Sequence, residues 1–253
     1  MIGLAFCGCN APTGKSHYVL AERFFADHKY EAAVQEFHII VQNDPKSALA
    51  QQALFRIATV QYLYLNAYFD ALRSFKQFAV NSQNQDFVYQ AEKSIGDIYF
   101  SKLEEYKLSI EQYRRLIEKF PKSTELDFFY FRLAKSYYGG LDFTRAIEAY
   151  QELLKRFPRT QYISDVYYQI GNTYFTKGQL DSAIDSFAFV TKTYPDSQQA
   201  VFARFGIANC LEEKEKFQEA LYEYQAILAK HPSKNVVEAK IKRLQQKIRQ
   251  NNK

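Results

Sequence analysis

The chain has 253 residues, of which 47% are hydrophobic, 17% aromatic and 24% charged, so it has ample material for a core and is not a disordered polymer. Gly and Pro number only 9 and 6 against 20 Tyr and 22 Phe, which favours packed helices over a turn-rich sheet protein. The net charge of +5 is a tail rather than a field: from Lys230 onward there are eight Lys or Arg against one acid, leaving the body before them close to −2.

The first segment, GCNAPTGKS at 8–16, carries two motifs. Gly14, Lys15 and Ser16 end like a phosphate-binding loop. Five residues separate Gly8 from Gly14 where four are needed to curl amides around a phosphate, and such a loop needs a parallel sheet that the helical chain downstream does not offer. No nucleotide cofactor is expected. Gly8 and Cys9 follow the apolar run IGLAF and resemble a bacterial lipoprotein signal, in which a small residue precedes the cysteine that takes the lipid. Phe6 stands where Leu is commoner, and by the same resemblance Asn10, not being Asp, favours transfer to the outer membrane. The run is short and no Lys or Arg precedes it, so an apolar terminus packed on the first helix pair is the alternative. On the lipoprotein reading Cys9 is the lipidation site, residues 1–16 are signal or anchor remnant, and the polar residues 10–16 are a tether.

From residue 17 the chain is periodic. Pro121, Pro158, Pro195 and Pro232 are each 37 residues apart, and Pro45 lies 76 before Pro121, leaving room for one unit without its proline. Twelve positions before each proline site, or thereabouts, stands a small residue: Ala33, Ala71, Ser109, Ala146, Ala183 and Ala220. Four residues later comes an aromatic: Phe37, Phe75, Tyr113, Tyr150, Phe187 and Tyr224. A second small column precedes these at Ala21, Ala58, Gly96, Ala134, Gly171 and Ala208, each behind a Leu or Ile. The arrangement describes pairs of antiparallel helices that approach at the small residues and wedge the aromatic into the adjoining pair. Proline ends the second helix, and Ser47, Ser123, Thr160 or Ser197 can cap the next one.

These columns resemble the signature of the tetratricopeptide repeat (TPR) family, at a period of 37 or 38 rather than about 34 residues. With its FPKS, FPRT and YPDS junctions, this lengthened form is similar to the repeats of bacterial envelope proteins of the BamD type, which are outer-membrane lipoproteins, and of the YbgF type, which work with Tol-Pal. The resemblance implies an all-α, right-handed solenoid of six helix-turn-helix repeats (about 17–50, 51–87, 88–126, 127–163, 164–200 and 201–234). A basic capping helix comes next at 235–253, whose apolar stripe is Val237, Ile241, Leu244 and Ile248.

In the family the first helices of the pairs line a concave face where peptides or partner domains lie. Carried over, positions three before the small residue face that groove: Tyr18, Phe55, Lys93, Phe131, Tyr168 and Phe205. Four after it come Phe25, Tyr62, Phe100, Tyr138 and Phe175, and between them lie Thr59, Asp97, Lys135, Asn172 and Asn209. Aromatics at helical spacing are also ordinary core residues, so burial by neighbouring helices competes with partner contact at each. Cys210 reads as a packed small residue, and His28, His38 and His231 as surface or junction residues. No catalytic triad, paired carboxylate or metal-ligand spacing stands out. The expectation is a non-catalytic scaffold of the bacterial envelope, an outer-membrane lipoprotein facing the periplasm or else a soluble periplasmic adaptor. Its partners are other proteins or peptides, and the membrane through lipid on Cys9, with no nucleic acid, small-molecule substrate or cofactor.

Overall fold

The computed structural model describes residues 13–251, so Cys9 and the apolar run before it lie outside the described residues. Among the described residues there are thirteen α-helices and no strand. They fall into two compact units divided after Phe120. The first holds α1 (Gly14–Ala26), α2 (Tyr30–Asn43), α3 (Ala48–Leu63), α4 (Tyr68–Asn81), α5 (Gln85–Ser101) and α6 (Tyr106–Lys119). The second holds α7 (Leu126–Gly139), α8 (Phe143–Arg156), α9 (Ile163–Thr176), α10 (Leu180–Thr193), α11 (Gln198–Glu213), α12 (Phe217–Ile227) and α13 (Lys234–Asn251).

Each unit is a row of helix pairs closed at the small columns. Ala21, Ala33, Ala58 and Ala71 in the first unit, and Ala134, Ala146, Ala183, Ala208 and Ala220 in the second, have no solvent exposure. The aromatic column fills the space between consecutive pairs: Phe37 of α2 packs with Ala21 of its own pair and with Ala53 and Ile57 of α3. Phe187 of α10 does the same between α9 and α11. A methyl group placed on Gly171 or Gly206 would come within 2.5 or 2.6 Å of its ring, so both neighbours must be glycine for that ring to fit. Burying one such ring contributes about 1.5–3 kcal/mol. In the second unit α13 seals the last pair through Val237 and Leu244, both fully buried, with Ile241 packed against them.

The turns inside the pairs are equally regular. His28, Asn66, Glu104, Leu141, Gly178 and Glu215 each occupy the left-handed region, with φ between 52° and 72°. Such a residue ends a helix by letting the next amides turn back onto its last carbonyls, as when His28 and Lys29 donate to Phe25 and Phe24. Only Gly178 does so without a Cβ penalty.

Between pairs, the hydroxyls of Ser47 and Ser197 accept the Ala50 and Ala200 amides and start α3 and α11 directly. Ser123 and Thr160 act two residues ahead of the cap residues Glu125 and Tyr162, accepting their amides. At the chain start one assignment is corrected: Gly14, Lys15 and Ser16 are the first turn of α1 and not tether, because Thr13 caps the Ser16 amide at 3.4 Å.

Candidate functional site

The residues assigned to a partner-binding row stand on the first helix of each pair, and every one of them is half-buried. In the first unit Tyr18 meets the edge of Phe37 at 5.2 Å, and Phe55 meets Phe75, Phe78 and Phe87 at 5.9, 5.2 and 5.0 Å. One turn on, Phe25 contacts Tyr30 and Tyr64, Tyr62 contacts Tyr68 and Phe75, and Phe100 contacts Tyr106. Lys93 sits in the same row on α5, and the Thr59 hydroxyl donates to the Phe55 carbonyl within its own helix. Tyr18, Phe55 and Tyr62 therefore lie with part of each ring on the core aromatics Phe37, Phe75 and Phe78 and the rest open.

The second unit repeats this. Phe131 lies on Tyr150 at 6.2 Å and is stacked flat on Tyr162 at 5.0 Å and 8°. Tyr168 packs on Phe187 and Phe202, and Phe205 on Tyr224 and His231. Tyr138 contacts Phe143, and its hydroxyl is 3.4 Å from the Thr176 hydroxyl, while Phe175 packs against the α10–α11 core. Lys135 stands 5.6 Å over the Phe131 ring, its pKa lowered by burial and by the Arg132 charge against the pull of Asp165.

Two polar members of the row do internal work. Asp97 accepts the Tyr113 hydroxyl at 2.9 Å, and Asn209 accepts the Tyr224 hydroxyl at 2.6 Å and the Lys240 ammonium at 3.0 Å. A tyrosine at the aromatic column buries its hydroxyl, and the residue just after the facing small residue is the nearest side chain able to accept it. Asn172, at the same position opposite Phe187, has no such duty.

Glu212 was not among the assigned residues. It falls four after Ala208, where earlier pairs carry an aromatic, and it is 8% exposed. It takes hydrogen bonds from Tyr224, from Lys240 at 3.1 Å and from Arg243, so that α13 is fastened by charge as well as by its apolar stripe. Burial alone would raise its pKa, but the hydrogen bonds and charges of Lys240 and Arg243 outweigh this and hold it below the ordinary glutamate value. The sequence signal was the break in the aromatic column itself. His231, expected as a surface or junction residue, lies in the junction between α12 and α13 but is turned inward rather than exposed: it is 7% exposed, its ring 5.7 and 5.0 Å from Phe202 and Phe205 and its Nδ1 accepting the Ser233 amide. Cys210 is fully buried, which pushes its thiol up to about 11 and away from nucleophilic use.

No helix among the described residues is long and apolar enough to cross a membrane. Nor are three or more His, Cys, Asp or Glu among them grouped to share a metal ion. The pairs present a series of half-open aromatic rows on their first helices, rings able to take part in further contacts.

Comparison with known proteins agrees with this architecture. Sequence models of the tetratricopeptide repeat match residues 94–123 and 129–160, and again 168–235, together a little over half of the chain. No curated protein matches the sequence significantly. Among solved structures, the C-terminal part of a TPR repeat-containing protein from Cytophaga hutchinsonii aligns with TM-score 0.62 and 19% identity over 84% of this chain and 78% of its own. PilW, a type IV pilus biogenesis factor, aligns with TM-score 0.58 and 15% identity over 90% and 99%. YrrB, a TPR protein with an unusual peptide-binding site, aligns with 0.56 and 17% over 80% and 96%. At such identities the likeness is one of fold. Family matches in both units, repeating small and aromatic columns and helix pairs built on them lead to one conclusion: the chain belongs to the tetratricopeptide repeat family.

Proposed function

We propose that the protein is a non-catalytic scaffold of a bacterial cell envelope, tethered to the outer membrane by lipid on Cys9, and that it captures a segment of another envelope protein on the aromatic row of its second unit. The observation that carries the capture is that Phe131, Tyr138, Tyr168 and Phe175 recur at one pair per repeat and all remain partly open. Asn172, whose side chain is not engaged by a tyrosine of the aromatic column, sits between the two rings of α9 and offers both a donor and an acceptor to a peptide backbone. YrrB is a precedent for a peptide-binding site on this fold, and PilW for a role in type IV pilus biogenesis. The tether rests on Gly8 and Cys9 and on the similarity to BamD-type lipoproteins.

Tyr138→Ala with Phe175→Ala is expected to weaken capture of envelope proteins at least ~10-fold with helicity unchanged, since a pair of anchoring rings commonly carries more than 2 kcal/mol. Unchanged capture, or a collapsed fold, removes the row from the site. Labelled palmitate is expected to enter the native protein in intact bacteria and not Cys9→Ala. Incorporation in neither leaves a soluble periplasmic adaptor.

A further inference from the structure

The last helix pair of the second unit is closed by α13, but the first pair of the first unit shows solvent a face of another kind. α1 packs on α2 and α3 through Tyr18, Ala21, Phe24 and Phe25. On its other side Lys15, Val19 and Arg23 follow one another at four-residue spacing, with Ser16 and Leu20 beside them, and all five are exposed. Val19 is 70% exposed.

The carboxylates nearest this face are engaged with other cations. Glu22, on the same helix, takes two hydrogen bonds of 2.7 Å from Arg56, and Glu36 of α2 holds the His17 ring at 2.6 Å. Asp27, just past the helix end, pairs with Lys29 at 3.6 Å. The face thus sets two apolar side chains between two cations, the composition of a helix that lies in a layer of anionic lipid headgroups.

The distance to Cys9 is short. Cys9 stands four residues before Thr13, which caps the start of α1. At no more than ~3.6 Å per residue, those four span at most ~14 Å however they are arranged. Lipid on Cys9 therefore keeps the first turn of α1, with Lys15, beside the bilayer. A helix laid along the surface from there brings Val19, Leu20 and Arg23 to it as well.

We propose that the exposed face of α1 lies on the anionic phospholipid surface of the membrane to which Cys9 is anchored, with Val19 and Leu20 among the headgroups and Lys15 and Arg23 on lipid phosphates. The inference rests on the tether proposed above and adds an orientation to it: the first unit is held against the membrane by α1 rather than swinging on its lipid.

The chain contains no Trp, so a single introduced one reports on its own surroundings. The test is to purify the lipidated protein carrying Val19→Trp from bacteria and reconstitute it in vesicles of phosphatidylethanolamine and phosphatidylglycerol with acyl chains brominated near the headgroup. Its emission should lie to the blue of that from the unlipidated full chain, Cys9→Ser/Val19→Trp, in buffer. Bromine should quench it at least ~2-fold, since such faces lie about 5–10 Å deep. Phe69→Trp, on α4 at a position 73% exposed, should show neither effect. Lys15→Glu/Arg23→Glu should abolish both at Val19→Trp while labelled palmitate still enters. Unquenched emission from lipidated Val19→Trp overturns the proposal and leaves the tether standing, as does quenching that survives Lys15→Glu/Arg23→Glu. Absence of palmitate from the native protein removes the tether and this contact with it. Equal quenching of Phe69→Trp overturns the proposal too, because the tether alone would then bring any exposed ring to the bilayer. Blue emission from Cys9→Ser/Val19→Trp in buffer assigns the face to residues 2–6 of the chain or to a second copy, and likewise overturns it.

Discussion

The fourth and sixth repeats bury the same side chain in the same place. Tyr150 and Tyr224 are both fully enclosed between helix pairs, yet their hydroxyls meet different surroundings. Tyr224 donates to Asn209 and Glu212, which are held in turn by Lys240 and Arg243 of α13. Tyr150 has no hydrogen-bond partner among the described residues, because the position that supplies Asn209 in the sixth repeat supplies Lys135 in the fourth. Burial raises both phenolic pKa values far above the usual range, so neither ring ionises. The repeat frame thus places a ring without guaranteeing its polar tip. That tip depends on one neighbouring residue, which is free to vary as long as the ring still packs.

The largest difference between the two sites is the carboxylate of Glu212. Glu212→Ala removes the shared acceptor of Tyr224, Lys240 and Arg243 and is expected to cost about 3 kcal/mol in denaturant unfolding, with α13 the first segment to lose amide protection. Because the folded pKa of Glu212 lies below its free value near 4.5, its contribution is complete above that pH and is lost as pH falls through the folded value. Stability should therefore drop more steeply below pH ~4.5 in the native chain than in Glu212→Gln. Next comes the hydroxyl itself: Tyr224→Phe should cost about 1–2 kcal/mol, while Tyr150→Phe should cost nothing measurable or raise the melting temperature slightly. A loss at Tyr150 equal to that at Tyr224 would mean that an unseen partner satisfies it.

Lys135→Asn sharpens the contrast by giving the fourth repeat the acceptor of the sixth. In that background Tyr150→Phe should become costly by about 1 kcal/mol, read as a double-mutant cycle. The smallest effect is expected at the turn. Leu141 is 74% exposed and held at φ 62°, so Leu141→Gly should stabilise by about 0.5–1 kcal/mol, or a few degrees in melting temperature.

The helix pairs were legible in the sequence because packing geometry is periodic: Ala21, Phe37 and their equivalents recur wherever two backbones approach, whatever lies around them. Hydrogen-bonded tips are not periodic. Nothing in the spacing of Asp97 or Asn209 distinguishes a groove residue from the partner of a buried tyrosine, and only the coincidence of Tyr113 and Tyr224 with those two acceptors gives it away. The inward turn of His231 was hidden for a related reason, since nothing periodic about a residue beside Pro232 in a polar junction tells that its ring packs on Phe202 and Phe205.

The ring of Phe187 has a consequence for mechanics. Seated between Gly171 and Gly206, it belongs to two repeats at once, so neither can open without stripping the other of a contact. In a nearest-neighbour description of repeat unfolding the coupling across this joint exceeds that where a ring meets alanine. Stretched between its ends, the second unit should yield its fifth and sixth pairs in a single rip rather than one after the other, and the segment under load would behave as a longer link than its repeat length suggests.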